Sequence, residues 1–342
     1  MSAAPLTAVL AGCGAMSRRW LESAALIDGL TITGLVDIDA GRAEARAAEF
    51  GLSGAATGAD LCAVLKTVKP RLVFDVVVPG ARAGVVKTAF AQGCDVLSEK
   101  PMAASLDEAR ELIALAKAAG RLHAVVQNRR YVEGIRKLRA YAQAGVIGEI
   151  TSVHSDFFIA PHFGGFREEM ENVLLLDMAI HTFDAARYII GTMPSHVYCH
   201  EANPAGSWFR HGASAYGIFE FDGGVTYTYR GGWSAKGLRT SWESDWRING
   251  VDGSLAWDGH SLFRAERETE ASAVLWTPEP AALPDVKSGR TGGHEGVIRD
   301  FVEAVRAGSA PETVACENIK SLAMVFAAIE SARLKRRVAV ET

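Results

Sequence analysis

The sequence predicts two joined folds. Residues 1–127 read as a doubly wound α/β domain with a parallel sheet, and residues 128–342 as an α+β domain with a largely antiparallel open sheet. Three observations lead there. In the first part, short Val/Ile/Leu runs alternate with helix-period segments, the pattern of a parallel sheet covered on both faces. After Gln127 the rhythm changes to long alternating segments broken by Gly-containing turns. Six of the seven tryptophans (208, 233, 242, 246, 257 and 276) fall in the second part, as expected where two different domains are joined.

The elements follow in order. Apolar runs at 7–11, 30–36, 72–78, 95–98 and 122–127 are expected strands, and 17–26, 41–50, 59–68, 81–92 and 106–119 the helices between them. A helix at 131–144 leads through Gly145 and Gly148 into a strand at 149–159. A Gly-rich loop, 161–167, precedes a long apolar helix at 171–190. From 195 to 257 the chain alternates as strands do, turning at Asp222-Gly223-Gly224 and at 249–253. A polar loop at 285–294 and two helices, near 295–307 and 317–334, close the chain.

Composition removes several function classes. A net charge of −4 argues against coating nucleic acid, which needs a surplus of Lys and Arg. No apolar run reaches the roughly 18 residues of a membrane span. Five scattered cysteines without a CxxC pair point to a reducing compartment and to no metal site. The N-terminus lacks a basic leader region, and Arg18-Arg19 follows the apolar run instead of preceding it. A cytoplasmic location is therefore expected.

Three motifs carry chemistry. Gly12-Cys13-Gly14-Ala15-Met16-Ser17 lies between an expected strand and helix. There the first Gly makes a tight turn, the second admits a pyrophosphate, and a small third residue lets the helix pack. Asp37 ends the second strand, where an acid accepts from ribose hydroxyls and repels a 2′-phosphate. That favours NAD over NADP, although Arg42 leaves a route to phosphate recognition and Asp39 competes with Asp37. Asp39 is better explained as a helix cap. Ser98-Glu99-Lys100-Pro101 follows the fifth strand and puts a Lys at the cofactor's edge; taken alone, such a Lys is more often a solvated surface charge. In the long helix, Asp177, His181, Asp184 and Tyr188 fall within about 60° of the circumference at α-helical spacing. A polar stripe on so apolar a helix must be satisfied by something, because burying unpaired polar groups costs several kcal/mol.

Together these residues resemble the Gfo/Idh/MocA oxidoreductases. The likeness rests on the Gly12–Ser17 loop, Glu99-Lys100-Pro101 and Asp177-x-x-x-His181, with further support from Asn128-Arg129-Arg130-Tyr131, 145–150 and 249–255. It covers essentially the whole chain. It implies a Rossmann domain joined to an α+β domain whose open sheet makes a homodimer or homotetramer. It also implies Lys100, Asp177 and His181 as the catalytic trio. The cofactor contacts expected on this basis are Gly12, Gly14, Ala15, Met16, Asp37, Pro79, Glu99, Lys100 and Gln127. The substrate contacts are Lys100, Arg129, His162, Asp177 and His181.

The sequence departs from the family at three places. Pro79-Gly80-Ala81-Arg82-Ala83 has no His, Met170-Glu171-Asn172-Val173 replaces a Gly run, and Ala179 replaces a Gly. The implied activity is NAD(P)-dependent oxidation of a carbinol in a small polyhydroxylated substrate: a sugar, sugar acid or cyclitol. Oxidation of an aldose at C1 to a lactone is favoured, pentose or hexose, branched sugars such as apiose included. His181 would act as acid/base and Lys100 would stabilise the alkoxide. Two other readings stand beside it: a redox-assisted glycosidase holding NAD, and a non-catalytic dinucleotide-binding sugar sensor.

Overall fold

The computed structural model describes residues 5–271, 276–287 and 289–342. Residues 1–4, Ser288 and the side chain of Trp276, which carry parts of the leader, loop and tryptophan expectations, lie outside the described residues. Contacts divide the chain into two units: Met1–Tyr131 with Gly292–Ile319, and Val132–Thr291 with Lys320–Thr342.

The first unit is built on a six-stranded sheet. Its strands are β1 (Leu6–Ala11), β2 (Leu30–Val36), β3 (Ala56–Gly58), β4 (Leu72–Asp75), β5 (Asp95–Ser98) and β6 (His123–Val125). They lie in the order β3-β2-β1-β4-β5-β6, and every pair is parallel. This is the expected doubly wound sheet, reversing direction between β1 and β4. Helices α1 (Ala15–Ala25), α2 (Ala40–Glu49), α3 (Leu61–Val68), α4 (Pro79–Ala91) and α5 (Leu106–Ala119) connect the strands. Asp39, Asp60 and Ser105 cap α2, α3 and α5 with their side-chain oxygens, each supplying an acceptor to an otherwise unpaired first-turn N–H. Two strands differ from expectation. β4 stops at Asp75, because Val76–Val78 leaves the ladder to form the loop at the sheet's carboxyl edge. β3 has only three residues, too few to show a period.

Helix α9 (His294–Ala307) belongs to this unit, although its sequence position groups it with the second half. Its apolar positions Val297, Ile298, Phe301 and Val302 recur with helical spacing and join Trp20, Leu21, Phe74 and Leu97 in one core. Left-handed Gly308 closes the helix. Truncating Phe301 to Ala is expected to cost about 3–5 kcal/mol.

The second unit opens with α6 (Glu133–Gln143). Its sheet contains β7 (Ile150–Phe158), β8 (Pro194–Ala202), β9 (Ser214–Phe221), β10 (Thr226–Gly232) and β11 (Asp245–Gly250). β12 (Gly253–Trp257), β13 (Phe263–Ala271), β14 (Trp276–Pro280) and β15 (Val338–Ala339) complete it among the described residues. The order is β14-β13-β12-β11-β7-β10-β9-β8-β15, antiparallel except for the parallel pair β10–β7. Alternation sorts its two faces. Val153, Phe157, Val197, Phe219, Tyr227, Tyr229 and Ile248 are buried on one face. His154, Asp156, Tyr216, Ile218, Thr228, Arg230 and Arg247 lie on the other, where His154, Asp156, Thr228, Arg230 and Arg247 line a shallow cavity of about 320 Å³.

The expected helix 171–190 is two structures, not one. Leu174–Ala179 forms a π-helical turn, and α8 (Ile180–Ile190) follows as a regular α-helix. A short helix, α7 (Phe166–Glu169), interrupts the loop before it. α8 packs on the buried sheet face through Phe183, whose ring lies edge-on to Phe219 at 4.7 Å and to Tyr229 at 5.1 Å. The last helix, α10 (Ala315–Leu334), carries the boundary between the two units within it.

Candidate active site

The first candidate region lies at the carboxyl edge of the six-stranded sheet. Gly12 has φ +97°, and a Cβ there would come within 2.6 Å of the Val76 carbonyl oxygen. Gly14 has an ordinary φ of −68° and open space where a Cβ would stand. No side chain caps α1 at Gly14, and Ala15 and Met16 are exposed. The first turn of α1 therefore offers unpaired N–H groups and the positive end of the helix dipole. The buried Ser17 replaces the third Gly, and its hydroxyl donates to the Gly14 carbonyl at 2.6 Å. The residues thus suit a pyrophosphate: one glycine that must turn, one cleared for close approach, and a helix N-terminus behind them.

Asp37 is buried at the end of β2. Its Oδ2 accepts from Cys13 N at 2.8 Å and its Oδ1 from Asp39 N at 3.0 Å, so the acid is clamped against the glycine loop. Each carboxylate oxygen retains further lone-pair capacity. The Arg42 guanidinium stands 3.5 Å from Asp37 Oδ1 and half exposed. Asp39 is the α2 cap, its Oδ1 accepting from Arg42 N. Burial, reinforced by the Asp37 charge, pushes the Cys13 thiol up to about 11, which leaves it unreactive.

Around Lys100 the structure brings Glu99, expected from the sequence, together with Trp20 and Arg82, which the sequence did not single out. Arg82, fully buried on α4, bonds Asp75 at 3.0 Å, the Val77 carbonyl at 2.7 Å and the Pro101 carbonyl. It thereby ties the loops after β4 and β5 together. Glu99 accepts from the Trp20 indole at 2.7 Å and from Lys100 N at 3.2 Å, and His294 lies 3.8 Å from it. Burial pushes the Glu99 carboxyl up, but hydrogen bonding and charge from His294, the indole N–H and the Lys100 ammonium outweigh it and hold it below its ordinary value. The signal for these partners is weak: neither Trp20 nor Arg82 lies near Glu99-Lys100-Pro101 in sequence. Pro79 opens α4, Gln127 is buried just after β6, and Arg129 is half-buried on the 3-10 turn Asn128–Tyr131.

The second candidate region lies in the second unit. Asp177 sits inside the π-helical turn, and His181, 8% exposed, starts the first turn of α8. Of the four positions only Asp177 lies in the π-turn, where each residue turns less than in an α-helix, while His181, Asp184 and Tyr188 keep α-helical spacing within α8. Asp184 and Tyr188 take structural roles. Asp184 is fully buried, accepting from Ser321 Oγ at 2.5 Å, and the Tyr188 hydroxyl accepts from Arg136 at 3.2 Å. Asp177 Oδ2 accepts from Arg167 Nε at 2.8 Å, a charge-assisted bond that orients the carboxylate. Asn172, with φ +49°, supplies the left-handed residue ahead of the π-turn, and its amide donates to Glu201 at 2.5 Å. His162 is exposed and bonds Glu168 at 2.8 Å. Among the described residues, no group of three or more His, Cys, Asp or Glu side chains could hold a metal ion. No helix among them is long and apolar enough to cross a membrane.

A parallel sheet of this order with a glycine loop at its switch point defines a dinucleotide-binding fold. Residues 6–127 match the family model described as the oxidoreductase family, NAD-binding Rossmann fold, and residues 135–256 match the GFO/IDH/MocA C-terminal domain. The chain belongs to the Gfo/Idh/MocA oxidoreductase family, and its first unit carries the NAD-binding fold. It is 26% identical to an uncharacterized protein of Sinorhizobium fredii, over 96% of this chain and 94% of that one. It is 24% identical to D-apiose dehydrogenase of Paraburkholderia graminis, over 97% of this chain and 89% of that protein. Its fold is similar to that of an oxidoreductase from Agrobacterium radiobacter in complex with NAD+, L-tartaric acid and magnesium. That likeness has a TM-score of 0.84 at 21% identity and covers 98% of each chain.

Proposed function

We propose that the protein oxidises a carbinol of a small polyhydroxylated substrate, with an aldose C1 passing to a lactone as the favoured case. NAD is preferred to NADP because Asp37 occupies the end of β2. The observation that carries the reading is the π-turn. It sets the Arg167-oriented Asp177 one turn before the nearly buried His181, and such turns are frequent at functional sites. A bound nicotinamide dinucleotide supplies the hydride acceptor. His181 removes the hydroxyl proton as hydride leaves carbon, since imidazole titrates nearest working pH among side chains. Lys100 donates a hydrogen bond to the oxygen on which negative charge develops. Asp177 accepts from a second hydroxyl and so orients the ring. Arg129 and His162 complete the proposed substrate contacts. The D-apiose dehydrogenase relative supports a pentose among the first substrates to test.

The outer face of the nine-stranded sheet, where Tyr216 and Ile218 are exposed, is proposed to mediate homo-oligomer formation. We place the protein in the cytoplasm on the cysteine pattern. The test of function is a panel of aldoses, sugar acids and cyclitols with NAD and with NADP, read by the absorbance of reduced nicotinamide. His181→Ala is expected to lower turnover by about 10²–10⁴-fold with its fold intact. Full turnover in that variant, or no oxidation of any polyol with either cofactor, rejects the reading.

A further inference from the structure

The loop after β7 and the segment before β11 each present an aromatic ring that the core does not absorb. Phe163 is 56% exposed and Trp242 44% exposed, their ring centroids 6.4 Å apart and their planes inclined by 33°. Beneath them lie buried rings. Trp233, 1% exposed, stands edge-on to Phe163 at 6.3 Å, and Phe157 lies 6.4 Å from Trp242. The two exposed rings are held by their loops. Gly164 N donates to Glu168 at 3.1 Å beside Phe163. The segment bearing Trp242 is stitched to the end of β7, with Thr240 N donating to the Phe158 carbonyl at 3.1 Å and Phe158 N to Thr240 Oγ1 at 3.0 Å.

One guanidinium joins this shelf to the candidate site. Arg167 donates from Nε to Asp177 Oδ2 at 2.8 Å while its Cζ lies 5.6 Å from the Phe163 ring centroid. Exposing an indole and a phenyl side by side forfeits apolar burial, and fixing both loops costs chain entropy as well. A shelf of aromatic faces beside a few oriented polar groups is the make-up of a small-molecule subsite. What fits it is a second ring with an apolar face, stacked flat.

We propose that Phe163 and Trp242 form a subsite for a second ring, and that the preferred substrate carries a non-reacting ring that rests there; where that ring is joined through C1 of the reacting sugar, oxidation falls on a carbinol other than C1. The proposal rests on the reading that Asp177 binds a substrate hydroxyl. Either a second sugar or an aryl group has the required flat apolar face, and the experiment separates them. Binding to the NAD-loaded protein is followed by tryptophan fluorescence with methyl and phenyl β-D-glucopyranoside, methyl and phenyl β-D-xylopyranoside, and cellobiose. Two-ring ligands are expected to bind about 5–10-fold more tightly than their one-ring counterparts, the increment of one aromatic stack. Gain with cellobiose alone identifies a sugar ring, and gain with the phenyl glycosides alone an aryl ring.

In Phe163→Ala and in Trp242→Ala the two-ring to one-ring affinity ratio should fall toward unity. Phe163→Tyr and Trp242→Phe should restore most of it. Equal affinity of one- and two-ring ligands in the wild-type protein overturns the proposal. An unchanged ratio in both alanine variants also overturns it, as does a change of oligomeric mass in those variants with no change in the ratio. Because binding is read without turnover, failure of the polyol panel rejects the oxidation reading and leaves this measurement to decide the subsite by itself.

Discussion

The indole nitrogen of Trp20 donates to Glu99 Oε1 at 2.7 Å, across 79 residues of sequence. The bond ties the first helix, which follows the glycine loop, to the residue before Lys100. Trp20 is completely buried, so Trp20→Phe keeps most of the apolar packing but withdraws the donor. The buried carboxylate then loses one of its partners, at a cost of about 1–3 kcal/mol. Urea unfolding should show that loss as a lower midpoint with an unchanged slope. A midpoint equal to wild type would mean that the bond contributes nothing to stability.

Gly12 and Gly14 should respond differently to the same substitution. At Gly12, alanine meets the Val76 carbonyl and a left-handed backbone, so Gly12→Ala should destabilise the fold by about 2 kcal/mol or more. At Gly14 the backbone is ordinary and the space is open, so Gly14→Ala should leave stability within about 1 kcal/mol. The added methyl there occupies the approach proposed for the pyrophosphate. Thermal unfolding with and without NAD checks both: Gly14→Ala should melt like wild type but gain less from NAD. An undiminished gain would remove Gly14 from the cofactor contacts.

Asp37→Ser tests cofactor choice. Serine keeps a short oxygen near Cys13 N but removes the negative charge beside Arg42. Affinity for NAD should fall about tenfold, the value of one charge-assisted bond, and NADP should gain relative to NAD. Titration of both cofactors gives the ratio directly, and an unaltered preference would move discrimination elsewhere.

His123 makes stability depend on pH. Burial, with a lesser contribution from the Arg82 charge, depresses its imidazole to about 3, while its Nε2 lies 3.1 Å from Ser98 Oγ. Unfolded, the ring titrates at its ordinary value of 6.5, so between those values the unfolded chain binds the extra proton. The stability attached to a neutral His123 is therefore complete above about pH 6.5 and is lost progressively as pH falls toward 3. Melting temperature should decline over that range, and His123→Gln should flatten the decline. Identical slopes for the two proteins would exclude His123 as its source.

Much of this protein was legible in the residues alone. Continuous apolar runs between helical periods can only be satisfied in a sheet covered on both faces, so five of the six strands of the parallel half were readable, and the three-residue β3 was not. The Gly12–Ser17 loop was readable because left-handed turns and close approaches demand small residues. Asp177 and His181 stood out because polar groups are costly on an apolar helix. What tertiary structure decided depends on partners distant in sequence. The π-turn at Leu174–Ala179 has the composition of an α-helix, and only the held geometry of Asn172 and Asp177 marks it. Asp184 and Tyr188, on α8 beyond that turn, meet Ser321 and Arg136, partners distant in sequence. Helix α9 joins the first unit because Phe301 and Val302 find their burial there, which periodicity cannot assign to one domain or another. The tryptophans divide by packing: Trp233, Trp246 and Trp257 are core, and Trp242 is on the surface. Local pattern specifies which face of an element must be covered; only the folded chain specifies what covers it.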